Sequence, residues 1–255
     1  MAILENPYFI VSTEEKSDVF NIYSKVDDCY LLNGNKISAT GRYTSGKKFL
    51  LDIDFANGSE LPSTDSTNPN SLHFFGINEE LKLGWEVNFT FDTSNLVFLW
   101  RVLLKNLSGD SVFIDRLTLL KPMAIEHSNL AFRTQKNKTD LRVFSNGWQS
   151  WSFTGPYSSG ERMRRSRLGF LQQPMVLNSG TPSFKKRGLF SSDFFAIVGE
   201  AVNQRGVVLG FLSQKQHFGT ICTSLRDHFQ IEMWANGDGT RLFHNETMIT
   251  DWAAL

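Results

Sequence analysis

Trp85-Glu-Val-Asn-Phe-Thr-Phe-Asp92 is the stretch that decides the fold class. Trp85, Val87, Phe89 and Phe91 fall on one side of an extended chain, and Glu86, Asn88, Thr90 and Asp92 on the other. A period of two places one face in a core and leaves the other polar. Working outward, Leu96 to Leu104 is an apolar run with one polar interruption, Arg101, and Val112 to Leu120 is another. The turns Asp92 to Asn95 and Asn106 to Asp110 are too short for parallel crossovers, so the three runs predict one antiparallel meander. Upstream, Phe49, Leu51, Ile53 and Phe55 alternate in the same way, and Asn57-Gly58 ends that strand. Asp18 to Lys25 is a further strand candidate, and Leu31 to Lys36, with Asn33-Gly34 at its centre, reads as a hairpin turn. Residues 59 to 71, rich in Ser, Thr, Asn and Pro, read as a loop.

Downstream, strand candidates are Leu130 to Thr134, Leu141 to Phe144, Phe194 to Val198, Val207 to Leu212 and Phe229 to Trp234. Lys136 to Asp140 reads as a charged turn and Asn236-Gly237 as a second Asn-Gly turn, and Met248 to Leu255 looks extended. No segment sustains an i, i+3, i+4, i+7 pattern. The sum is a helix-poor, all-β chain whose residues 1–255 form one large antiparallel β-sandwich.

Composition narrows the function. With 26 basic and 26 acidic residues the net charge is zero, which argues against nucleic acid as a partner. The basic clusters Glu161 to Arg167 and Lys185 to Arg187 read as solvated or inter-domain surface. Cys29 and Cys222 lie too far apart for a metal cluster and read as reduced, structural residues. No run is long enough to span a bilayer, and the N-terminus lacks a basic start followed by an apolar run, so a cytoplasmic protein is expected. The five histidines are scattered, without metal-ligand spacing, and neither a Gly-x-Ser-x-Gly elbow nor a Gly-rich phosphate loop is present. No metal or cofactor is expected.

The candidate site is Phe144-Ser-Asn-Gly-Trp-Gln-Ser-Trp-Ser-Phe-Thr-Gly155. Asn146-Gly147 and Gly155-Pro156 are breakers at its two ends. Between them Trp148 and Trp151 stand among Asn146, Gln149 and short hydroxyl side chains. Indoles with amides on a loop suit a ligand that is apolar on one face and rich in hydroxyls, which is a description of a sugar. Two tryptophans buried in the core of a β-domain would give the same composition.

The word Asn146-Gly-Trp-Gln-Ser-Trp-Ser152 resembles the tryptophan-rich loop of the N-terminal domain of glycoside hydrolase family 36, the α-galactosidases. Ser192-Asp-Phe-Phe-Ala196 and Gly210-Phe-Leu-Ser213 resemble two further strands of that domain, in the same order. The likeness runs from about Leu141 to the C-terminus. It implies a large sandwich of the supersandwich type, set before a catalytic (β/α)8 barrel whose galactose pocket the loop helps to wall. By that resemblance Trp151 touches substrate, Trp148 buttresses the loop, and Asn146 and Gln149 lie at the site.

The same resemblance implies retaining hydrolysis of terminal α-galactosides such as melibiose or raffinose, and self-association. Retaining glycosidases use two carboxyl groups about 5 Å apart, placed in this family on a barrel that takes about 250 residues. The family's catalytic motifs do not occur here. Asp193, Asp227 and Asp251 read as turn, cap or surface carboxylates, so no catalytic residue is assigned, and the barrel is expected beyond residue 255 of the same polypeptide. A stand-alone carbohydrate-binding sandwich is the alternative, and action on N-acetylgalactosamine or galactosyl transfer would keep the family while changing the substrate.

Overall fold

The structure is a computed structural model that describes residues 1–14, 18–61, 71–92, 96–130, 141–150, 152–171, 176–202 and 205–255. In chain order the strands are β1 (Ile3–Glu5), β2 (Phe9–Thr13), β3 (Val19–Ser24), β4 (Cys29–Tyr43), β5 (Lys48–Asp52), β6 (Ser59–Leu61) and β7 (Ser71–Asn78). Next come β8 (Leu83–Asp92), β9 (Val97–Asn106), β10 (Val112–Pro122), β11 (Leu141–Ser145), β12 (Gly155–Ser158) and β13 (Leu189–Asp193). The last six are β14 (Phe195–Glu200), β15 (Arg205–Phe211), β16 (Gly219–Leu225), β17 (Phe229–Leu242), β18 (Thr247–Ile249) and β19 (Ala253–Ala254). Among the described residues helix is confined to short pieces such as the 3-10 turn Gly169–Leu171.

Two antiparallel sheets face each other. The first has the order β1-β2-β3-β4-β10-β17-β16-β13, with β5 also on β4. The second has the order β12-β11-β14-β15-β19-β9-β8-β7-β6, with β18 also on β9. Their inner faces interdigitate through aromatic rings. Phe20 of the first sheet meets Phe89 of the second at 5.4 Å between centroids, and Phe9 of the first stacks on Phe91 of the second at 6.2 Å. Trp85, Val87, Phe89 and Phe91 are all buried, as their alternation requires.

Several local expectations are corrected. Asn33-Gly34 is not a hairpin turn but lies inside β4, where two residues, Asn33 and Gly34, oppose Asn21 alone on β3. Gly34 has φ +67° and donates its N–H to Asn21 Oδ1 at 2.6 Å. Asn-Gly favours any left-handed position, and a bulge demands one as a tight turn does. The real turn is residues 25–28, closed by Asp28 at φ +50°. Asn236-Gly237 likewise sits inside β17, at an irregularity opposite Asp115 that includes Asp238 and Gly239, both at positive φ.

The expected meander also breaks after β9. β10 belongs to the other sheet, because the C-terminal strands β18 and β19 occupy the free edge of β9. Ser59–Leu61, expected as loop, pairs with β7. The turn Asp92 to Asn95, the segment 131–134 and the turn Lys136 to Asp140 fall largely or wholly outside the described residues. No helix among the described residues is long and apolar enough to cross a membrane.

Candidate functional site

The tryptophan loop leaves β11 at Ser145 and returns at Gly155, so it caps one end of the second sheet. Its footing is the place where the chain crosses between sheets. β13 ends the first sheet at Asp193, and β14 begins in the second at Phe195. Phe194, between them, has φ +74°, a strained value for a bulky side chain. It is held from both sides: its N–H donates to Gly219 O at 3.1 Å, and its carbonyl accepts from Phe211 N at 3.0 Å.

Asn146 ties the loop to this crossover. Its N–H donates to Ser192 Oγ at 2.7 Å and its side-chain Nδ2 to Asp193 O at 2.9 Å. Its carbonyl accepts the Asp193 N–H at 3.0 Å. Gly147 is required by close approach rather than by its φ, since a Cβ there would lie 2.0 Å from Ser152 Cβ. Its N–H donates to Thr154 Oγ1 at 3.0 Å, while Ser152 Oγ donates to Val176 O at 2.7 Å.

Trp148 is half-buried, with its ring edge-on to Phe218 at 5.9 Å. Its indole Nε1 is buried and has no hydrogen-bond partner among the described residues. Gln149 is exposed, and its carbonyl closes the turn by accepting the Ser152 N–H at 3.0 Å. Trp151 lies outside the described residues.

Beneath the loop is a polar seam that sequence reasoning missed. Asp193 is buried, not a turn or surface carboxylate. Its Oδ1 accepts from Asn178 Nδ2 and, at 2.5 Å, from Thr181 Oγ1. Thr181 Oγ1 lies 2.7 Å from Thr220 Oγ1, which accepts from Asn236 Nδ2 at 2.9 Å. Asn236 Oδ1 in turn accepts from Trp234 Nε1 at 2.8 Å. The hydroxyls can therefore orient as one chain of donors ending on Asp193. The other carboxyl oxygen, Oδ2, is buried without a partner among the described residues. Burial pushes the Asp193 pKa up to about 6, against the downward pull of the Thr181 hydroxyl.

Asp251 is also buried, which corrects the surface reading, whereas Asp227 is exposed in a bend as expected. Asp251 accepts from Ser213 Oγ and from Gln216 N. Its own N–H donates to His217 Nε2 at 2.8 Å, so that nitrogen carries no proton. Burial lowers the His217 pKa, and the 3.8 Å approach of Nε2 to Asp251 is not an ion pair. Nothing pairs these carboxylates as a glycosidase dyad. Neither Cys29 nor Cys222 is in a disulfide. Among the described residues, no group of three His, Cys, Asp or Glu is placed to hold a metal.

No protein-family model matches the sequence, and no curated protein sequence matches it. Solved structures do. The galactose mutarotase related enzyme from Lactobacillus acidophilus superposes with a TM-score of 0.55 at 13% identity, covering 99% of this chain and 96% of that one. The α-galactosidase from Lactobacillus brevis gives 0.55 at 10% identity, over 99% of this chain and 38% of that one. A GH36 α-galactosidase from Geobacillus stearothermophilus gives 0.52 at 10% identity, over 100% of this chain and 40% of that one.

The likeness is one of fold. This chain has the β-sandwich fold that occurs in GH36 α-galactosidases, and it spans about two fifths of their length. Within that fold the tryptophan loop and the Ser-Asp-Phe-Phe crossover, far apart in sequence, are brought together by Asn146 and Asp193. A signal for the seam was available: Asp193 is a lone carboxylate inside the run Leu189 to Val198.

Proposed function

We propose that residues 1–255 are the non-catalytic sandwich of an α-galactosidase-like retaining glycoside hydrolase, with the tryptophan loop at the rim of the substrate pocket. The observation that carries this reading is the coincidence of two independent likenesses. The sandwich matches part of GH36 α-galactosidases over its whole length, and the loop word Asn146 to Ser152 resembles theirs. The loop's anchoring supports it further, because Asn146 spends its Nδ2 on Asp193 O and so fixes the loop to the sheet. Trp151 would enclose the galactose ring, Trp148 would brace the loop through Phe218, and Gln149 would offer its exposed amide. The acid and nucleophile would come from a barrel in the same polypeptide.

A test uses two proteins. The 255-residue chain alone should not cleave an aryl α-galactoside, and activity that survives repeated purification would overturn the assignment. In a protein extended to include a barrel, Trp151→Ala should lower kcat/KM by about tenfold or more, the loss of one stacked ring and its contacts. Its circular dichroism should stay unchanged.

A second reading is a sandwich that works on or binds a sugar by itself. It is favoured by the 96% coverage of the mutarotase-related enzyme, a protein with no room for a barrel of this size. Polarimetry of galactose anomerisation and calorimetric titration with galactose, both on the 255-residue chain, separate the two: acceleration or binding supports the second, and the absence of both the first.

A further inference from the structure

The outer face of the second sheet holds polar groups that the fold does not use. Asn88 of β8 and Arg101 of β9 are direct cross-strand partners. Asn88 is buried, yet its Oδ1 has no hydrogen-bond partner among the described residues, and neither has the buried Arg101 Nε. The Arg101 guanidinium carbon lies over the Trp252 ring, 4.4 Å from its centroid. A cation–π contact of this kind restrains the guanidinium without using its N–H donors. Burial pulls the Arg101 pKa down and Glu86, two residues from Asn88 on the same face, pulls it back up. Unsatisfied buried polar groups are uncommon in native proteins and call for a reason.

Beside this row is a groove of about 320 Å³, lined by Phe75, Glu86, Leu103, Lys105 and Thr247 among others. Gly84 on β8 also lines it, and its missing side chain, which would reach Leu107 at 3.3 Å, makes it concave. Phe75 and Ile77 are exposed at its edge. The groove therefore has an apolar wall, a carboxylate, an ammonium, a hydroxyl and, adjoining it, a pre-oriented guanidinium. Donors and acceptors are mixed, so a ligand must carry both, on a body with an apolar face. That excludes a simple anion, which offers only acceptors.

We propose that this face binds a sugar, with Arg101 and Glu86 as its hydrogen-bonding pair and the Phe75 wall against the ring's apolar face. The site is separate from the tryptophan loop and does not rest on the function proposed above. It is tested on the 255-residue chain by amide and indole NMR shifts during titration with galactose, glucose and raffinose, with sodium acetate as the anion control. Saturable shifts at Asn88, Arg101 and the Trp252 indole are expected with at least one sugar and not with acetate. Arg101→Lys, which keeps the charge but loses the fork, and Glu86→Gln should each weaken binding by about tenfold or more. Leu50→Ala, an exposed position on the other sheet, should leave the affinity unchanged. Absence of saturable shifts with all three sugars, equal response to acetate, or shifts confined to residues 146–154 would overturn the proposal.

Discussion

Asp193→Asn should make the protein more stable at neutral pH and leave it unchanged in acid. The folded pKa of Asp193 is about 6, against an ordinary value of 3.8. The folded state thus holds the proton more tightly than the unfolded state, and between these two values unfolding releases protons. Stability must then fall as pH rises through this window, by about 1.4 kcal/mol per unit, or about 3 kcal/mol in all. No discount for solvent screening applies, because Asp193 is 1% exposed. Asparagine keeps one carbonyl oxygen for Asn178 and Thr181 and cannot ionise. The variant should match the wild type near pH 3.8 and exceed it by up to about 3 kcal/mol at pH 7.5, or roughly 6–12 °C in Tm for a chain of this size. His217 acts in the opposite sense. Its folded pKa is depressed, so its contribution is present above 6.5 and lost as pH falls through the lower folded value. The wild-type profile therefore mixes two slopes, and only the difference between variant and wild type isolates Asp193. Urea titrations of both proteins at half-unit pH steps supply that difference. A difference that stays flat with pH, or that grows toward acid, would refute the reasoning.

Trp100→Phe should cost about 2–4 kcal/mol by denaturant titration. The indole Nε1 donates to Leu119 O at 3.2 Å, at a point where register shifts in β10 leave Leu119 without a paired residue on either neighbouring strand, so phenylalanine leaves both a void and an orphaned carbonyl. Asn146→Ala removes the bond to Asp193 O and should cost about 1 kcal/mol. Its larger effect should be faster hydrogen exchange of the amides at residues 147–154 with little change in the core strands.

The core was legible because burial leaves a periodic trace. Phe49 to Phe55 alternate in sequence and in burial, and so do Trp85 to Phe91 except at Asn88, which is buried as well. Turn signals were less decisive. Asn33-Gly34 and Asn236-Gly237 mark residues that tolerate left-handed backbone, and nothing in a dipeptide distinguishes a chain reversal from a bulge in a continuing strand. Sheet membership was not legible at all for β10: its own residues are the same whether it pairs with β9 or with β4 and β17, and the choice is made by strands β18 and β19 more than 120 residues later. Of the candidate site, the loop and the position of Asn146 within it were readable, while the seam below was not. Asn178 and Thr181, Thr220, and Asn236 come from three separate segments and carry no shared pattern. What the sequence does carry is the exception: Asp193 in one apolar run and Arg101 in another each break a rule of burial, and each proves to stand where polar groups gather.

The reason they gather at Asp193 follows from the crossover. A strand that leaves one sheet for another takes its backbone groups out of both ladders for a residue or two, and buried groups so released must find side-chain partners. Ser192 Oγ and Asn146 Nδ2 meet that need directly, on Asn146 N and Asp193 O. Amides and hydroxyls alone would satisfy the seam without an acid. Asp193 adds a charge that burial disfavours at neutral pH, beside a residue, Phe194, held at an unfavourable φ. Both features cost stability at one point, directly under the loop that carries Trp148. The loop's footing is consequently a network whose protonation changes near pH 6, while the strands around it are locked by apolar contacts that do not titrate. Any pH response of the loop should therefore enter through Asp193, or through His217 by way of Phe218 on Trp148, rather than through the loop's own side chains, none of which ionises between Asn146 and Thr154.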